Sequence, residues 1–246
     1  MSTERPGTEI GTAVIWHDVE CGAYAADLPL WEELAAGAGE VLDLGCGTGR
    51  VALHLARRGQ PVVGLDFDAE LLAALAERGE GLPVKTVHAD AREFELDRCL
   101  RLAIAPMQTL QLLEGAAERT ACLQRVATHL EPGGQFAAAI LEAMPEPDGS
   151  PPPLPDVREV DGWVYSSLAI EAAVGPGEII VSRLRQTVSP AGELSEEPNR
   201  VRIETFTAAQ LEEEAAAFGL TPIERREIGA TDIHVGTTVV VLGKEA

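Results

Sequence analysis

Residues 41–59 read Val-Leu-Asp-Leu-Gly-Cys-Gly-Thr-Gly-Arg-Val-Ala-Leu-His-Leu-Ala-Arg-Arg-Gly. Val41, Leu42 and Leu44 make an apolar strand, and glycines at 45, 47 and 49 make a turn. A helix follows with Val51 and Leu55 on one face, and Gly59 closes it. Glycines at a strand-to-helix junction let the backbone pass close to a ligand that a Cβ would push away. The free N–H groups of the helix N-terminus face the same space. Asp43, at the strand end, adds an acceptor. The stretch predicts an α/β fold with a nucleoside-cofactor pocket and leaves open which cofactor it takes.

The surrounding chain repeats the strand–helix alternation. Upstream, Asp27-Leu-Pro29 predicts a helix start, with Asp27 as N-cap and Pro29 in the first turn. Residues 13–26 concentrate Trp16, His17, Asp18, Glu20, Cys21 and Tyr24, and residues 1–12 read as loose chain. Downstream, the short strand 61–65 ends in Asp66, and Asp68 caps a helix over 69–78. Strands follow at 82–87, 100–105 and 135–141. Between the last two, Leu123, Val126, Ala127 and Leu130 mark a helix over about 116–130 that Pro132-Gly-Gly134 stops. Such alternation implies a doubly wound parallel sheet with right-handed crossovers. Ligands of such sheets bind beyond the carboxyl ends of the strands, where Asp43, Asp66 and Asp90 all fall.

The pattern breaks at 145–155, a proline-rich loop. Strands at 160–173, 178–188 and 199–206, the first two joined by Gly175-Pro-Gly177, predict an antiparallel β insertion. The capping box Thr207-Ala-Ala-Gln210 then opens a helix. Strands at 220–228 and 234–242 finish the chain. The expected organisation is an N-terminal helical lid and substrate segment over 1–39, a core of 40–142 with 204–246, and an insertion over 143–203 serving as cap or dimer arm.

The 246 residues are 46% apolar, enough for a sizeable core, and 19 basic against 40 acidic residues give a net charge of −21. That surface repels nucleic acid and anionic membrane, so neither is expected as a partner. Cys21, Cys46, Cys99 and Cys122 show neither metal-ligand nor disulfide-framework spacing, and no metal is expected. With no apolar leader and no long apolar run, a soluble cytoplasmic chain is expected, as monomer or homodimer.

Two cofactors fit the opening turn. Gly47-Thr-Gly49-Arg-Val-Ala52 satisfies the dinucleotide fingerprint, with Asp66 near the position of a ribose acid. Against it stand the backward extension Asp43-x-Gly45-x-Gly47-x-Gly49, a further acid at Asp90, Pro132-Gly-Gly134 ahead of the fifth strand, and the terminal helix–strand–strand unit. On these residues the chain resembles the class I S-adenosylmethionine-dependent methyltransferases, over about 40–141 and 207–246. Val-Leu-Asp-Leu-Gly-Cys-Gly-Thr-Gly matches the family's first motif; Gly64-Leu-Asp66 and His88-Ala-Asp90-Ala91 match the second and third. The resemblance implies a Rossmann-like seven-stranded sheet whose last strand is antiparallel.

It also implies a site. Asp43, Gly45, Cys46, Gly47 and Gly49 would line the methionine part of S-adenosylmethionine. Asp66 would bind the ribose hydroxyls, Phe67 would flank the adenine, and Asp90 with the Ala91 backbone would read its edge. Ala105 to Gln108, Met107 included, would lie under the sulfonium. Tyr24 either packs the N-terminal segment or, as in small-molecule N-methyltransferases of this fold, lies over the cofactor. Ala-Pro-Met-Gln108 replaces the Asn/Asp-Pro-Pro-Tyr/Phe motif of methylases acting on DNA bases or protein glutamine.

The acceptor is expected to be a small molecule methylated on N or O, contacted by Gln108, Gln111 and Trp163. Catalysis would be mainly alignment. His17, Tyr24 and Gln108 are the candidates for any direct role, His17 as a base. Two rivals remain open at this level: an NAD(P)-linked oxidoreductase, and a non-catalytic member that binds the cofactor or dimerises.

Overall fold

The computed structural model describes residues 11–145, 154–231 and 234–245. Residues 1–10, read as loose chain, and most of the proline-rich stretch lie outside the described residues. The core sheet takes β1 (Val41–Leu44), β2 (Val62–Asp66), β3 (Val84–His88), β4 (Leu100–Ala105), β5 (Leu130–Ile140), β10 (Leu220–Ile228) and β11 (Thr237–Lys244). Their order is β10-β11-β5-β4-β1-β2-β3. The β1 to β5 ladders are parallel, and β11 runs antiparallel between β5 and β10. The seven-stranded sheet with its antiparallel last strand is therefore the observed architecture.

Alternate strand residues feed two cores, as period-two geometry requires. Val41, Val62, Leu102, Ile104, Ala137 and Val239 meet helices α2 (Leu28–Ala35), α3 (Arg50–Ala56) and α4 (Ala69–Arg78). Leu42, Leu65, Ala103, Phe136, Ala138 and Val240 meet α5 (Gly115–His129) and α6 (Ala208–Ala216) on the other face. The Asp68 cap and the Thr207–Gln210 capping box both form. Asp27 does not cap α2: its carboxylate takes the Trp31 indole N–H at 2.8 Å and a two-pronged contact from Arg50. Pro132 to Gly134 fall within β5, where the ladder to β4 jumps from Leu100–Leu130 to Leu102–Gln135.

The insertion is a separate antiparallel sheet, β6 (Asp156–Val160), β7 (Trp163–Gly175), β8 (Glu178–Val188) and β9 (Leu194–Glu204), in that order. The strand expected at 160–173 is β7, which begins at Trp163; β6 ahead of it, absent from the sequence reading, pairs back on it through a turn where Asp161 and Gly162 both take positive φ, +51° and +79°. That is the primed turn that Asp-Gly favours between antiparallel strands.

Residues 12–21 form a helix, α1, absent from the sequence reading. It contacts α4 on one side and β6 and β7 on the other. Val14, Ile15, Trp16, Asp18 and Val19 are all buried. A helix covered on both sides lacks the one-sided apolar period by which a surface helix is recognised. It thereby straps the cap to the glycine turn.

Candidate active site

The turn after β1 places Gly45, Gly47 and Gly49 at φ +64°, +54° and +92°, where a side chain would be strained. The room they leave is taken by the chain itself. A Cβ at 47 would stand 2.2 Å from His17 Nε2, one at 45 would stand 2.6 Å from Thr109 Cγ2, and one at 49 would stand 2.3 Å from Leu75 Cδ1. These glycines seat α1, the segment after β4, and α4 against the turn.

Two cavities meet there. The larger, about 580 Å³, opens over the ends of β2 and β3 and holds Asp66, Phe67, Asp90 and Ala91. The smaller, about 300 Å³, lies between α1, the segment after β4, and the cap. Glu20, Asp43, Cys46, Arg50, Met107, Gln108 and Arg183 line it. His17, Gly45, Thr109 and Leu112 belong to both walls.

In the larger cavity Phe67 presents a ring that is 77% exposed. Asp66 accepts the Gly47 N–H at 2.8 Å and the Asp68 N–H at 2.9 Å, one per oxygen, so each oxygen keeps a further lone pair. Asp90 is held by Arg92, whose Nε donates at 2.8 Å, and that hydrogen bond keeps its carboxyl below the ordinary value.

The smaller cavity holds a buried acid. Neither oxygen of Asp43 has a hydrogen-bond partner of ordinary geometry among the described residues. Burial pushes its carboxyl up to about 7, against the pull of Arg50 and the Ala52 backbone N–H. Arg50 is spoken for by Asp27 and the Tyr24 carbonyl. Arg183 donates to Asp156 and Ser167, each at 3.1 Å. The Cys46 thiol is raised far above its ordinary value by burial, so it is no nucleophile.

α1 carries the acids that bind the cap. Asp18 takes Arg78 through two contacts, 2.9 and 2.6 Å, Thr48 Oγ1 at 2.7 Å, and Arg158 of β6 at 3.0 Å. Burial would raise its carboxyl; the Arg78 and Thr48 hydrogen bonds and the two arginine charges outweigh that and hold it low. Glu20 takes Arg185 at 2.8 and 2.9 Å and Ser167 at 2.8 Å. Trp16 meets Tyr165 edge to face, with ring centres 5.4 Å apart.

Several expected site residues lie elsewhere. Gln111 contacts neither cavity: its amide nitrogen donates to the Leu141 and Glu204 carbonyls and its oxygen accepts the Leu141 N–H. It is a buried splice between β5, β9 and the turn after β4. Trp163 packs against the cluster of Ile15, Trp16, Val19 and Tyr165. Ala105 is sealed in the core. Tyr24 lines a third, small cavity, stacked on His234 with ring centres 4.5 Å apart. Met107 and Gln108 border both that cavity and the one of about 300 Å³. The sequence reading gave no role to Thr48, although it lies inside the glycine motif, and passed over Thr109 and Leu112, which carry no motif.

A methyltransferase-domain family matches residues 41–134. The cypemycin N-terminal methyltransferase of a Streptomyces species is 35% identical over 102 residues, 42% of this chain and 40% of that protein. The dTDP-3-amino-3,6-dideoxy-alpha-D-glucopyranose N,N-dimethyltransferase of Streptomyces fradiae is 28% identical over 185 residues, 75% of this chain and 71% of that protein. A sugar N-methyltransferase from Streptoalloteichus superposes with a TM-score of 0.75 at 20% identity, covering 100% of this chain and 98% of that one. An amino pentose methyltransferase from Micromonospora echinaspora gives 0.71 at 19%, covering 98% and 100%. At those identities the superpositions bear on the fold alone. Strand order, glycine turn and matched domain converge: residues 41–134 match a methyltransferase domain, and the sheet has the fold of the class I S-adenosylmethionine-dependent methyltransferases.

Proposed function

We propose that the protein transfers a methyl group from S-adenosylmethionine to a nitrogen atom of a small-molecule amine. The observation that carries this reading is the wall shared by two cavities, formed by His17, Gly45, Thr109 and Leu112. A donor on one side and an acceptor on the other would face each other across it. The larger cavity fits an adenosine: Phe67 offers a ring face, and Asp66 and Asp90 offer acceptors for hydroxyl and amino hydrogens. Asp43, unpartnered and buried, fits an ammonium group.

S-adenosylmethionine, when bound, supplies a methyl group on a sulfonium that is already an activated leaving group. What remains for this chain is to bind, align and dry the reactants. Met107, Leu112, Val181, Val201 and Ile203 give the smaller cavity an apolar lining that excludes water. Its arginines are already paired, and its unpaired charge is acidic, which suits an amine better than an anionic acceptor. The name of the amino-sugar relative, an N,N-dimethyltransferase, supports the same choice. The family sets aside the dinucleotide oxidoreductase read from Gly47 to Ala52.

Calorimetric titration is expected to show one site for S-adenosylhomocysteine. Radiolabel from S-adenosylmethionine is expected on amines of a panel of amino sugars and short peptides. No binding of either nucleoside overturns the reading. Transfer only to phenols or alcohols moves the acceptor to oxygen, and binding without transfer to any acceptor favours the non-catalytic rival.

A further inference from the structure

A hydrogen-bonded row runs under the shared wall, from Asp18 through Thr48 to His17. Arg78 and Arg158 keep Asp18 ionised, so its oxygens only accept. Thr48 must therefore donate its single hydroxyl hydrogen to Asp18 Oδ1, at 2.7 Å. The same hydroxyl oxygen lies 3.2 Å from His17 Nδ1. With its hydrogen spent, it can only accept from the imidazole, so Nδ1 carries the ring proton and Nε2 keeps a lone pair. No described residue hydrogen-bonds Nε2, which stands over Gly47 in the wall common to both cavities.

We propose that His17 Nε2 accepts the proton of the acceptor amine, with Thr48 and Asp18 fixing the tautomer that makes this possible. The proposal rests on the amine reading above. An amine arriving as R–NH3+ breaks one N–H bond and leaves the electron pair on nitrogen as the nucleophile. The proton binds Nε2, one positive charge passes from amine to ring, and the imidazolium later returns its proton to water. Asp18, two hydrogen bonds away, offsets the new charge.

The ring must be neutral before the amine arrives. Burial lowers the His17 basicity and Arg50 of α3 adds to that; Asp18, Asp66 of β2 and Glu20 oppose it. Asp43 and Arg183 face the same ring across the smaller cavity, and Asp90 and Arg92 across the larger.

Long-range proton–nitrogen NMR on the ligand-free protein tests the row directly. At about pH 7 the His17 ring is expected neutral with hydrogen on Nδ1, and Thr48→Val is expected to shift the population toward the Nε2–H form. An Nε2–H tautomer or an imidazolium in the unaltered protein overturns the proposal. Methyl transfer to dTDP-3-amino-3,6-dideoxyglucose and to the amine panel is the second arm. With any amine that turns over, His17→Gln is expected to lower kcat about tenfold or more at neutral pH and to recover as rising pH deprotonates the free amine. An unchanged kcat and pH profile in His17→Gln sinks the proton step alone. A protein that binds S-adenosylhomocysteine but methylates no amine sinks the amine reading and the proton step with it.

Discussion

Phe136 in the core sheet touches no solvent, whereas Val174 in the cap is 67% exposed. The contrast runs through the two sheets. The inner strands β1, β2, β4, β5 and β11 are sealed by apolar side chains on both faces, while the edge strands β3 and β10 are half open. The four-stranded cap meets α1 through four buried apolar residues, Ile15, Trp16, Val19 and Tyr165. Around that patch its ties are ionic: Asp18 with Arg158, Glu20 with Arg185, and Glu204 with Arg119. Apolar packing is indifferent to salt and to mild changes of pH, and ion pairs are not. The proposed donor side is thus built on a rigid base, and the proposed acceptor side hangs on groups that titrate and can be screened.

Phe136→Ala should produce the largest loss, about 3–5 kcal/mol by denaturant titration, with the whole molecule affected. A loss under about 1 kcal/mol would mean that the core is less tightly sealed than its burial implies. Asp18→Ala should cost about 2–4 kcal/mol, since it leaves Arg78 and Arg158 facing each other without their acid. Its effect should be local: hydrogen exchange in α1, β6 and β7 should quicken while β1 and β4 stay protected. Equal acceleration in both sheets would erase the contrast.

pH separates the two regions further. Asp18 and Glu20 are held below their ordinary values, so their contribution is present above the unfolded values and is lost as pH falls through the lowered folded ones. Acid should therefore loosen the cap first, and added salt should do the same through the exposed pairs. Asp43 works in the opposite sense. Its folded value is raised to about 7, so the stability it lends is full in acid and is lost as pH rises through about 7. Asp43→Asn should stabilise relative to the unaltered protein by about 2–3 kcal/mol more at pH 8 than at pH 5, read as a widening gap in Tm. A gap that does not change with pH would show that the carboxylate has a charge partner. Val174→Asp on the open face of the cap should move stability by no more than about 0.5 kcal/mol.

The donor side was legible in the sequence because its residues repeat a local rule. Asp43, Asp66 and Asp90 each fall at the carboxyl end of a strand, and the glycines sit between strand and helix. The room those glycines leave also seats His17, Thr109 and Leu75, which the sequence reading did not foresee. The acceptor side follows no local rule. α1 has no one-sided period because both its sides are covered, and Asp18 reads as an ordinary polar residue until Arg78 and Arg158 arrive from distant positions. Gln111 looked like a substrate contact because it follows β4, but its amide completes the backbone bonding of Leu141 and Glu204. One missed feature had a local signal: Asp161-Gly162 is a hairpin dipeptide, and reading it would have revealed β6 ahead of the expected strand.

The strap has a consequence for the order in which the molecule is made. α1 has ten residues, too few to persist alone in water. It leaves the ribosome before the core and the cap, yet its bonds from Arg78 to Asp18 and from Arg185 to Glu20 span 60 and 165 positions. The helix therefore waits while the core sheet begins to assemble beside it and while the cap is still being synthesised. The acceptor cavity comes into being only when the two ends of that wait are joined, so a nascent chain holds its donor-side turn long before it has anywhere to put an acceptor.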